Sequence, residues 1–388
     1  MTGPVRLAVV GGNRGAGFGE ALRYLSEQLR LVAVCDLSPE VLEAWQKKHG
    51  GIRTYTSYDE LLQQDDVDAV LLATPMELHA PQALQALRAG KHVLSEVIAA
   101  TTMEECWQLV EAVKTSKRVY MLAENYCYSR ENMMVLNMVQ HGLFGELTYA
   151  EGGYIHDCRD LNFDSEGRLT WRGRLRRRVN GNFYPTHSLG PIAQWLGINR
   201  PGGDRFVTTA TFMTAARAPQ LWVREHLGAD HPAARDDYWL CGDSATTIIQ
   251  TAKGAVIVLR KDSSSPRPHN GAHYVLEGTR GAYLSRRYEG DEPLIWSEEL
   301  GSEVRWQPMA CHAEAWDHPY WQAWRQRAEG AGHGGGDYFV LHDFVTAIQQ
   351  GTPPAIDVYD AVTWSSIMPL SIESVARGSV PVEVPVFR

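Results

Sequence analysis

Short apolar runs alternate with amphipathic stretches along the first third of the chain. VRLAVV at 5–10, LVAVCD at 31–36 and DAVLLAT at 68–74 have the composition of buried strands. Later strands are predicted at 91–96 and 118–125, and the segments between strands predict helices near 19–29, 39–48, 57–64, 79–89 and 102–115. Because strands that alternate with helices form a parallel sheet covered on both faces, this pattern predicts an α/β domain over residues 1–125.

The pattern changes after about residue 126, where strands begin to follow strands. The predicted strands are 147–156, 206–213, 245–251, 255–261, 273–278 and 281–287, with an arginine-rich loop at 168–178. Helices are predicted around 133–142, near 187–196, from the glycine-rich run 332–339 to about 349, and at 359–377. We therefore predict a second α+β domain over 126–388 with a mostly antiparallel open sheet, and the helix at 359–377 is a candidate to pack back on the first domain.

Composition narrows the possible partners. The 388 residues are 44% apolar and 21% charged, with a formal net charge of −9, so the chain lacks the basic field that binding to nucleic acid or an anionic membrane requires. No apolar run reaches the length of a membrane span, and the first residues do not resemble an export signal, so we expect a cytoplasmic protein. The six cysteines lack CxxC or CxxH spacing, which predicts reduced thiols and no zinc site.

A glycine-rich turn between the first strand and the following helix is a candidate nucleotide site. In Gly11-Gly12-Asn13-Arg14-Gly15-Ala16-Gly17, glycines would allow a diphosphate to approach the backbone, although many such turns are only tight turns. Asp36 ends the second strand, where a carboxylate can accept hydrogen bonds from both ribose hydroxyls and repel a 2′-phosphate. The alternative role for Asp36 is to cap the next helix, which Ser38 can also do. Together these features predict NAD rather than NADP as the cofactor.

Three strings in this domain carry a family resemblance. ATPMELH at 73–79, AGKHVLSEV at 89–97 and AENYCY at 123–128 resemble the cofactor domain of the glucose–fructose oxidoreductase/inositol dehydrogenase (Gfo/Idh/MocA) superfamily. Dehydrogenases of that superfamily carry Glu-Lys-Pro, and the lysine assists proton removal from the substrate hydroxyl. This chain has Glu96-Val97-Ile98. Since an aliphatic side chain cannot relay a proton, the usual dehydrogenase apparatus lacks its central cation.

The second domain resembles glycoside hydrolase family 109, whose members are NAD-dependent glycosidases first described as α-N-acetylgalactosaminidases. The resemblance lies in EGGYIHD (151–157), WR (171–172), GNFYPTHSLGPIAQWLGINR (181–200), HGGGD (333–337) and DVYDAVTWSSIMPLSIESV (357–375). It implies an NAD site that, with the glycine turn and the 73–79 segment, comprises Gly11, Gly12, Asn13, Arg14, Asp36, Thr74, Met76, His79, Glu96, Val97, Asn125 and Arg172. It implies a sugar site at Tyr154, His156, Tyr184, Pro185, Thr186 and His187.

Two departures from the family are visible. Members usually begin with an export signal, and they often have Arg-Pro-Tyr, with the tyrosine in the sugar site, where this chain has Arg267-Pro268-His269. His269 therefore joins the predicted sugar-binding residues, and the sugar preference is left open.

The chemistry implied by the resemblance does not need paired carboxylic acids, and no acidic pair stands out in the sequence. The sugar is transiently oxidised at C3, the C1 substituent is eliminated, water adds at C1, and C3 is reduced again. Such a route needs a base that works near neutral pH and donors that hold an enolate. We assign His187 as the proton-transfer residue with Tyr184 as its partner, and Tyr154 as a further residue in contact with the substrate.

Each of these residues also has a simpler interpretation. His187 could cap a helix or lie in the core, Tyr154 could pack on a strand face, and His156 and Asp157 could make only a supporting hydrogen bond. A lid and an ordinary surface loop are equally compatible with His333. His156 and Asp157 are adjacent on a strand and would point to opposite faces, so we predict no metal site.

The sequence thus favours an NAD-dependent, redox-neutral glycosidase acting on a hexoside or an N-acetylhexosaminide. The alternatives are an NAD-dependent sugar or cyclitol dehydrogenase and a non-catalytic NAD-binding regulator. The expected partners are a small carbohydrate substrate and further copies of the chain in a homodimer or homotetramer. The sugar, its anomer and its aglycone are not determined by the sequence.

Overall fold

Two compact units make up the protein. The computed structural model describes residues 3–268, 271–288, 290–301 and 303–388. The first unit contains the residues up to Met133, together with Asp317–Ser365 and Phe387–Arg388, and the second contains Met134–Trp316 and Ser366–Val386.

A six-stranded parallel sheet forms the centre of the first unit. Its strand order is β3-β2-β1-β4-β5-β6, the doubly wound arrangement of dinucleotide-binding domains. Every pair of neighbours is parallel. The strands are β1 (Val5–Val10), β2 (Leu29–Cys35), β3 (Arg53–Tyr55), β4 (Ala69–Leu72), β5 (His92–Ser95) and β6 (Tyr120–Leu122). The predicted parallel sheet is confirmed, with β3 as an additional edge strand.

Two of the longer helices of this unit begin at capping side chains. The hydroxyl of Ser38 accepts from the backbone N–H of Val41, with Pro39 at the first helical position, and Thr102 and Glu105 form a reciprocal capping box. The helices are α1 (Gly12–Gly15), α2 (Gly19–Tyr24), α3 (Pro39–Lys48), α4 (Tyr58–Leu62), α5 (His79–Arg88), α6 (Met103–Ser116) and α7 (Arg130–Gln140), of which α7 continues into the second unit.

A nine-stranded sheet dominates the second unit. Its order is β14-β13-β12-β11-β7-β10-β9-β8-β15, and only the β7–β10 pair is parallel. The strands are β7 (Leu147–Ile155), β8 (Phe206–Met213), β9 (Ser244–Thr251), β10 (Val256–Asp262), β11 (Gly271–Gly278), β12 (Gly281–Leu284), β13 (Leu294–Ser297), β14 (Gln307–Pro308) and β15 (Val382–Glu383). The predicted mostly antiparallel sheet is confirmed.

One face of this sheet, the inner face, is covered by helix. The helices of the unit are α8 (Trp171–Arg178), α9 (Thr186–Trp195), α10 (Ala218–His226), α11 (Ala313–Trp316) and α15 (Ile367–Ala376). α9 lies so close to β7 that a Cβ on Gly152 would collide with the carbonyl oxygen of Ser188. The paired glycines of EGGYIHD therefore serve packing at this point, because a side chain at position 152 would push the helix away from the sheet.

The predicted arginine-rich loop at 168–178 is wrong over most of its length, since 171–178 forms α8. The hydroxyl of Thr170 caps the helix at Gly173 N, and Leu175 and Arg176 are buried. Arginine is a good helix former, so the charged run is compatible with a helix once one side packs.

The C-terminal part is divided differently from the prediction of one helix at 359–377 in the second domain. α12 (Pro319–Ala328), α13 (Gly336–Gln350) and α14 (Val358–Ser365) belong to the first unit, whereas α15 belongs to the second. α14 packs on α6 and β6, and α15 packs on β8. The break at Ser366 precedes Pro369, whose missing N–H removes a helical hydrogen bond at this point.

The six cysteines are all free, and five of them are buried. Among the described residues, no helix combines the length and the apolar character needed to cross a bilayer.

Candidate functional site

The glycine turn of the first unit is closed by the backbone. Gly11 has φ 87°, and a Cβ there would lie 2.5 Å from the carbonyl oxygen of Ala73. A Cβ on Gly12 would lie 2.7 Å from Cγ1 of Val41, and the indole of Trp45 donates to the Gly12 carbonyl at 3.0 Å. The turn therefore requires glycine at both positions, because a Cβ at either would collide with neighbouring protein atoms.

Asp36 ties this turn to the second strand. Its Oδ2 accepts the N–H of Gly12 at 2.7 Å, and its Oδ1 accepts the N–H of Ser38 at 2.9 Å. Ser38, not Asp36, supplies the cap of α3. Asp36 lies next to the turn, as the sequence analysis expects of a ribose-binding carboxylate, while its contact with ribose stays a prediction.

Three of the predicted cofactor residues meet at the end of β5. The guanidinium of Arg14 lies 2.5 Å from the carboxylate of Glu96, and Glu96 Oε2 accepts the N–H of Val97 at 3.2 Å. Glu96 and Val97 are both buried. The position at which the dehydrogenases carry a lysine is thus a buried aliphatic residue here. Asn13, by contrast, is exposed in the turn.

The segment from Thr74 to His79 is held from inside the protein. The two ring nitrogens of His79 lie 2.8 Å from the carbonyl oxygens of Ile98 and Thr74. The hydroxyl of Thr74 contacts Gln82 Oε1 at 2.6 Å, and Met76 is buried. Burial lowers the pKa of His79. His79 thus anchors the segment 74–79 through these hydrogen bonds. Direct contact of its ring with NAD stays a prediction.

Asn125 lies on a hydrogen-bonded chain. Its side-chain N–H donates to Asp337 Oδ1 at 3.1 Å, and Nδ1 of His333 lies 2.8 Å from Asp337 Oδ2. Asp337 is wholly buried, and the buried Oδ1 of Asn125 has no hydrogen-bond partner among the described residues. This buried acceptor has no partner in the described part of the chain and lies in the same unit as the glycine turn. It fits a polar ligand group such as the carboxamide or ribose of a dinucleotide.

The second unit gathers the predicted sugar residues on the inner face of its sheet. The ring of Tyr154, on β7, stacks on Tyr184 with centroids 5.7 Å apart and meets the imidazole of His187 edge-on at 4.8 Å. Tyr184 and His187 lie 5.1 Å apart. We call Tyr154, Tyr184 and His187 the aromatic cluster. The structure therefore brings together the three residues to which the sequence assigned the chemistry.

His156 joins this cluster through a hydrogen bond. The Tyr154 hydroxyl lies 3.0 Å from His156 Nδ1. His156 lies one residue beyond β7, where its backbone N–H still donates to the carbonyl oxygen of Asp262, so the two side chains share a face. Burial lowers the pKa of His156, and the neighbouring Arg172 acts in the same direction through its positive charge. A neutral imidazole can accept the tyrosine's proton in this hydrogen bond.

Asp157 points to a different partner. It forms an ion pair with Arg159 at 2.8 Å. Burial would raise the pKa of Asp157, but the side-chain and backbone hydrogen bonds from Arg159 outweigh burial and lower it. No group of three or more His, Cys, Asp or Glu side chains that could hold a metal ion occurs in the described ranges.

The backbone around His187 is fixed at both ends. The hydroxyl of Tyr274 donates to the carbonyl oxygen of His187 at 2.5 Å, and the hydroxyl of Ser188 donates to the carbonyl of Pro185 at 3.0 Å. Thr186 is wholly buried, and its hydroxyl oxygen has no hydrogen-bond partner among the residues described. His269 lies outside the described residues.

Lys261 is a further buried polar residue, not predicted from the sequence, which strand register places beside Tyr154. Its ammonium lies 2.6 Å from the Ser263 hydroxyl and 3.3 Å from the ring centre of Phe183. Burial lowers the pKa of Lys261 to about 7, and the charge of Arg176 acts in the same direction. Its burial could have been predicted from its position in β10, where it is the next alternate residue after the buried Ile257 and Leu259.

Comparison with known proteins identifies two family domains in the chain. Residues 128–388 match the model of the glycosyl hydrolase 109 C-terminal domain, and residues 5–124 match that of the oxidoreductase family with an NAD-binding Rossmann fold. The chain belongs to glycosyl hydrolase family 109. It therefore carries a cofactor domain for NAD and, in the unit with the aromatic cluster, the C-terminal domain of this hydrolase family.

Curated relatives agree over nearly the full chain. A glycosyl hydrolase family 109 protein of Solibacter usitatus is 38% identical over 99% of this chain and 88% of the relative. An alpha-N-acetylgalactosaminidase of Shewanella oneidensis is 36% identical over 99% of this chain and 85% of the relative.

Solved structures share the fold at low identity. A levoglucosan dehydrogenase in complex with NADH has a TM-score of 0.77 and 22% identity, covering 98% of this chain and 99% of its own. An oxidoreductase domain protein from Kribbella flavida has a TM-score of 0.78 and 20% identity, covering 99% of this chain and 100% of its own. The oxidoreductase fold assigned from the sequence is confirmed.

Proposed function

We propose that this family 109 protein is an NAD-dependent, redox-neutral glycosidase that cleaves an N-acetylhexosaminide or a hexoside. The observation that carries the proposal is the aromatic cluster of Tyr154, Tyr184 and His187, with His156 bonded to it, in a family 109 C-terminal domain. The relative of Shewanella oneidensis named alpha-N-acetylgalactosaminidase supports an N-acetylhexosaminide as the first substrate to test.

The cofactor residues of the first unit fit NAD. The glycine turn follows β1 directly, where Rossmann folds bind a diphosphate, Asp36 offers a carboxylate for ribose, and Asn125 offers a buried acceptor. When bound, NAD supplies reversible hydride acceptance, which makes a sugar carbon a temporary ketone and the neighbouring proton acidic. The residues of this chain must then transfer protons at the sugar, bind its hydroxyl groups and prevent side reactions.

His187 is the group that we assign to proton removal at C2 of the sugar. Its imidazole lies at the N-terminal end of α9 against two tyrosine rings, and its backbone is fixed by Tyr274. Tyr184 and Tyr154 offer hydroxyls for the oxygen at C3, where negative charge develops as the proton leaves. His156 orients the Tyr154 hydroxyl through its Nδ1. Proton transfer by a positioned side chain of this kind accelerates a reaction by about 10²–10⁴-fold.

Val97 separates this reaction from that of a sugar dehydrogenase. A buried valine beside Glu96 cannot assist removal of a hydroxyl proton as a lysine does. The levoglucosan dehydrogenase structures show the shared fold and no more. Dehydrogenase activity is therefore the alternative result of the following experiment, and it would contradict the proposal.

The experiment measures glycoside cleavage and cofactor reduction in the same sample. The protein loaded with NAD⁺ is given 4-nitrophenyl N-acetyl-α-galactosaminide, and we expect many turnovers of nitrophenol release without accumulation of NADH. The matched control substrate is the 3-deoxy glycoside, which has no C3 hydroxyl to oxidise and should not be cleaved. Stoichiometric NADH from the intact sugar would indicate the dehydrogenase, and cleavage of the 3-deoxy glycoside would contradict the redox-neutral route.

We also propose a homodimer or homotetramer in the cytoplasm. Phe212 and Ile248 are 54% and 38% exposed, and their register places both on the outer face of the nine-stranded sheet. Apolar side chains grouped on an open sheet favour association. Six free cysteines suit a reducing compartment. Light scattering of the wild type and of Phe212→Glu tests the oligomer, and a monomeric wild type would contradict it.

A further inference from the structure

A second glycine-rich segment of the first unit lies against the glycine turn. Gly332, Gly334 and Gly335 have φ of 80°, 61° and 97°, and His333 between them has φ 41°. A Cβ on Gly332 would come 3.4 Å from the carbonyl oxygen of Gly17. A histidine with left-handed backbone is uncommon, and such conformations cluster at ligand-binding segments because the surrounding structure must hold them.

A buried carboxylate holds the His333 ring. Asp337, one turn further along the chain, is wholly buried and accepts Nδ1–H of His333 at 2.8 Å, while 48% of the histidine side chain is exposed. This hydrogen bond fixes the ring so that Nε2 points away from Asp337. No hydrogen bond to His333 Nε2 occurs among the described residues. The imidazole is therefore held with Nε2 on its exposed side, and this nitrogen becomes a hydrogen-bond donor when the ring is protonated.

The surroundings of His333 are residues of the NAD site. Asp337 also binds the amide of Asn125, and the charges that act on His333 besides Asp337 are Arg14 and Glu96. Arg14 is already paired with Glu96. The glycine turn at the described residues 11–17 therefore has no unpaired cation for the two negative charges of a diphosphate. His333, near Arg14 and Glu96, is an ionisable side chain that can supply a positive charge.

We propose that His333, positioned by Asp337, binds the diphosphate of NAD and that residues 332–337 form the second wall of the cofactor site. The hydrogen bond to Asp337 raises the pKa of His333, although burial and Arg14 lower it. The imidazolium is thus retained closer to neutral pH, where it makes a charge-assisted hydrogen bond to phosphate oxygen. Asp337 is a positioning residue, since it acts through His333 and Asn125.

The test uses ligands that differ in the diphosphate. Dissociation constants for NAD⁺, ADP-ribose and adenosine are measured by calorimetry on protein freed of nucleotide. The variant is His333→Asn, because asparagine tolerates the left-handed backbone. We expect NAD⁺ and ADP-ribose to bind about tenfold more weakly and adenosine to bind as before. His226→Asn is the matched control, since this histidine is 46% exposed and lies in the second unit.

The same titrations at about pH 6 and about pH 9 add a readout that a structural role would not move. Wild-type affinity for ADP-ribose should fall as the pH rises through the pKa of His333, and His333→Asn should lose this dependence while keeping Arg14, Glu96 and Asp337. Unchanged ADP-ribose affinity in His333→Asn would overturn the proposal. Equal weakening of adenosine, or a weakening confined to NAD⁺, would overturn it too, because the first indicates a damaged fold and the second a contact at nicotinamide.

Discussion

The predicted cofactor residues of the first unit and the aromatic cluster of the second are built in different ways. At the glycine turn, the protein presents backbone, and glycines are required because Ala73 and Val41 leave no room for a Cβ. In the aromatic cluster, side chains from β7 and from the start of α9 pack on one another. The glycine turn is encoded by consecutive residues. The aromatic cluster depends on residues about thirty positions apart, which meet only in the folded unit.

The largest expected effect separates the two regions by function. His187→Ala should lower the turnover number for glycoside cleavage by about a thousandfold, because it removes the proposed base. The NAD content of the purified protein should stay at the wild-type level, since His187 belongs to the second unit. Turnover and bound nucleotide are measured on the same preparation. Near wild-type turnover would show that another group removes the proton.

A smaller effect is expected at the glycine turn. Asp36→Asn keeps an oxygen that can accept from Gly12 N but removes the charge. We expect NAD⁺ to bind about tenfold more weakly and the preference over NADP⁺ to shrink, because repulsion of the 2′-phosphate is lost. Binding constants for both nucleotides provide the measurement. If the preference for NAD⁺ is unchanged, Asp36 serves only the turn and Ser38.

The Tyr154 hydroxyl tests the inside of the aromatic cluster. Tyr154→Phe keeps the ring contacts with Tyr184 and His187 and removes the hydrogen bond to His156. We expect about a tenfold lower turnover number, with melting temperature close to wild type. Tyr149→Phe on the same strand, whose hydroxyl bonds Glu151, is the control and should be neutral. Equal loss in both variants would indicate a general effect on β7.

The smallest predicted effect concerns the titration of His156. Arg172→Gln removes a positive charge that lowers the pKa of His156, so this pKa should rise toward its ordinary value, while the lowering by burial remains. The acid limb of the cleavage profile should move to higher pH in the same direction, because the neutral ring is needed as an acceptor. Arg172→Lys keeps the charge and should titrate like wild type. NMR titration of the labelled imidazole measures the shift directly.

Much of the fold could be read from the apolar pattern. β1, α3 and α5 occur within a residue of their predicted limits, because their buried positions repeat at the spacing of strand and helix. The error at α8 has a local cause: five of its eight residues are arginine, and only Gly173, Leu175 and Arg176 are buried, so the apolar spacing of a helix is absent. The split between α14 and α15 at Ser366 has a signal in the sequence, because Pro369 lies in the first turn of α15 and cannot donate a helical hydrogen bond.

The candidate sites differ in the same way. His333 and Asp337 stand four residues apart in one string, yet nothing in that string reveals that Asp337 also binds Asn125, more than two hundred residues earlier. Lys261 follows an inward-facing series in β10, but its neighbour Tyr154 is known only from strand register. Long-range pairing of this kind is a property of the folded chain.

By itself, the sequence determined the two fold types, the glycine turn with Asp36, and the residues of the family motifs. It could do so because turn geometry, strand periodicity and motif spacing act over short stretches of chain. Only the tertiary structure decided which units the C-terminal helices join, that Asp157 pairs with Arg159 while His156 bonds Tyr154, and that a buried aspartate holds His333. These outcomes depend on which side chains the folded units bury and on which of several nearby partners then satisfies a charged or polar group.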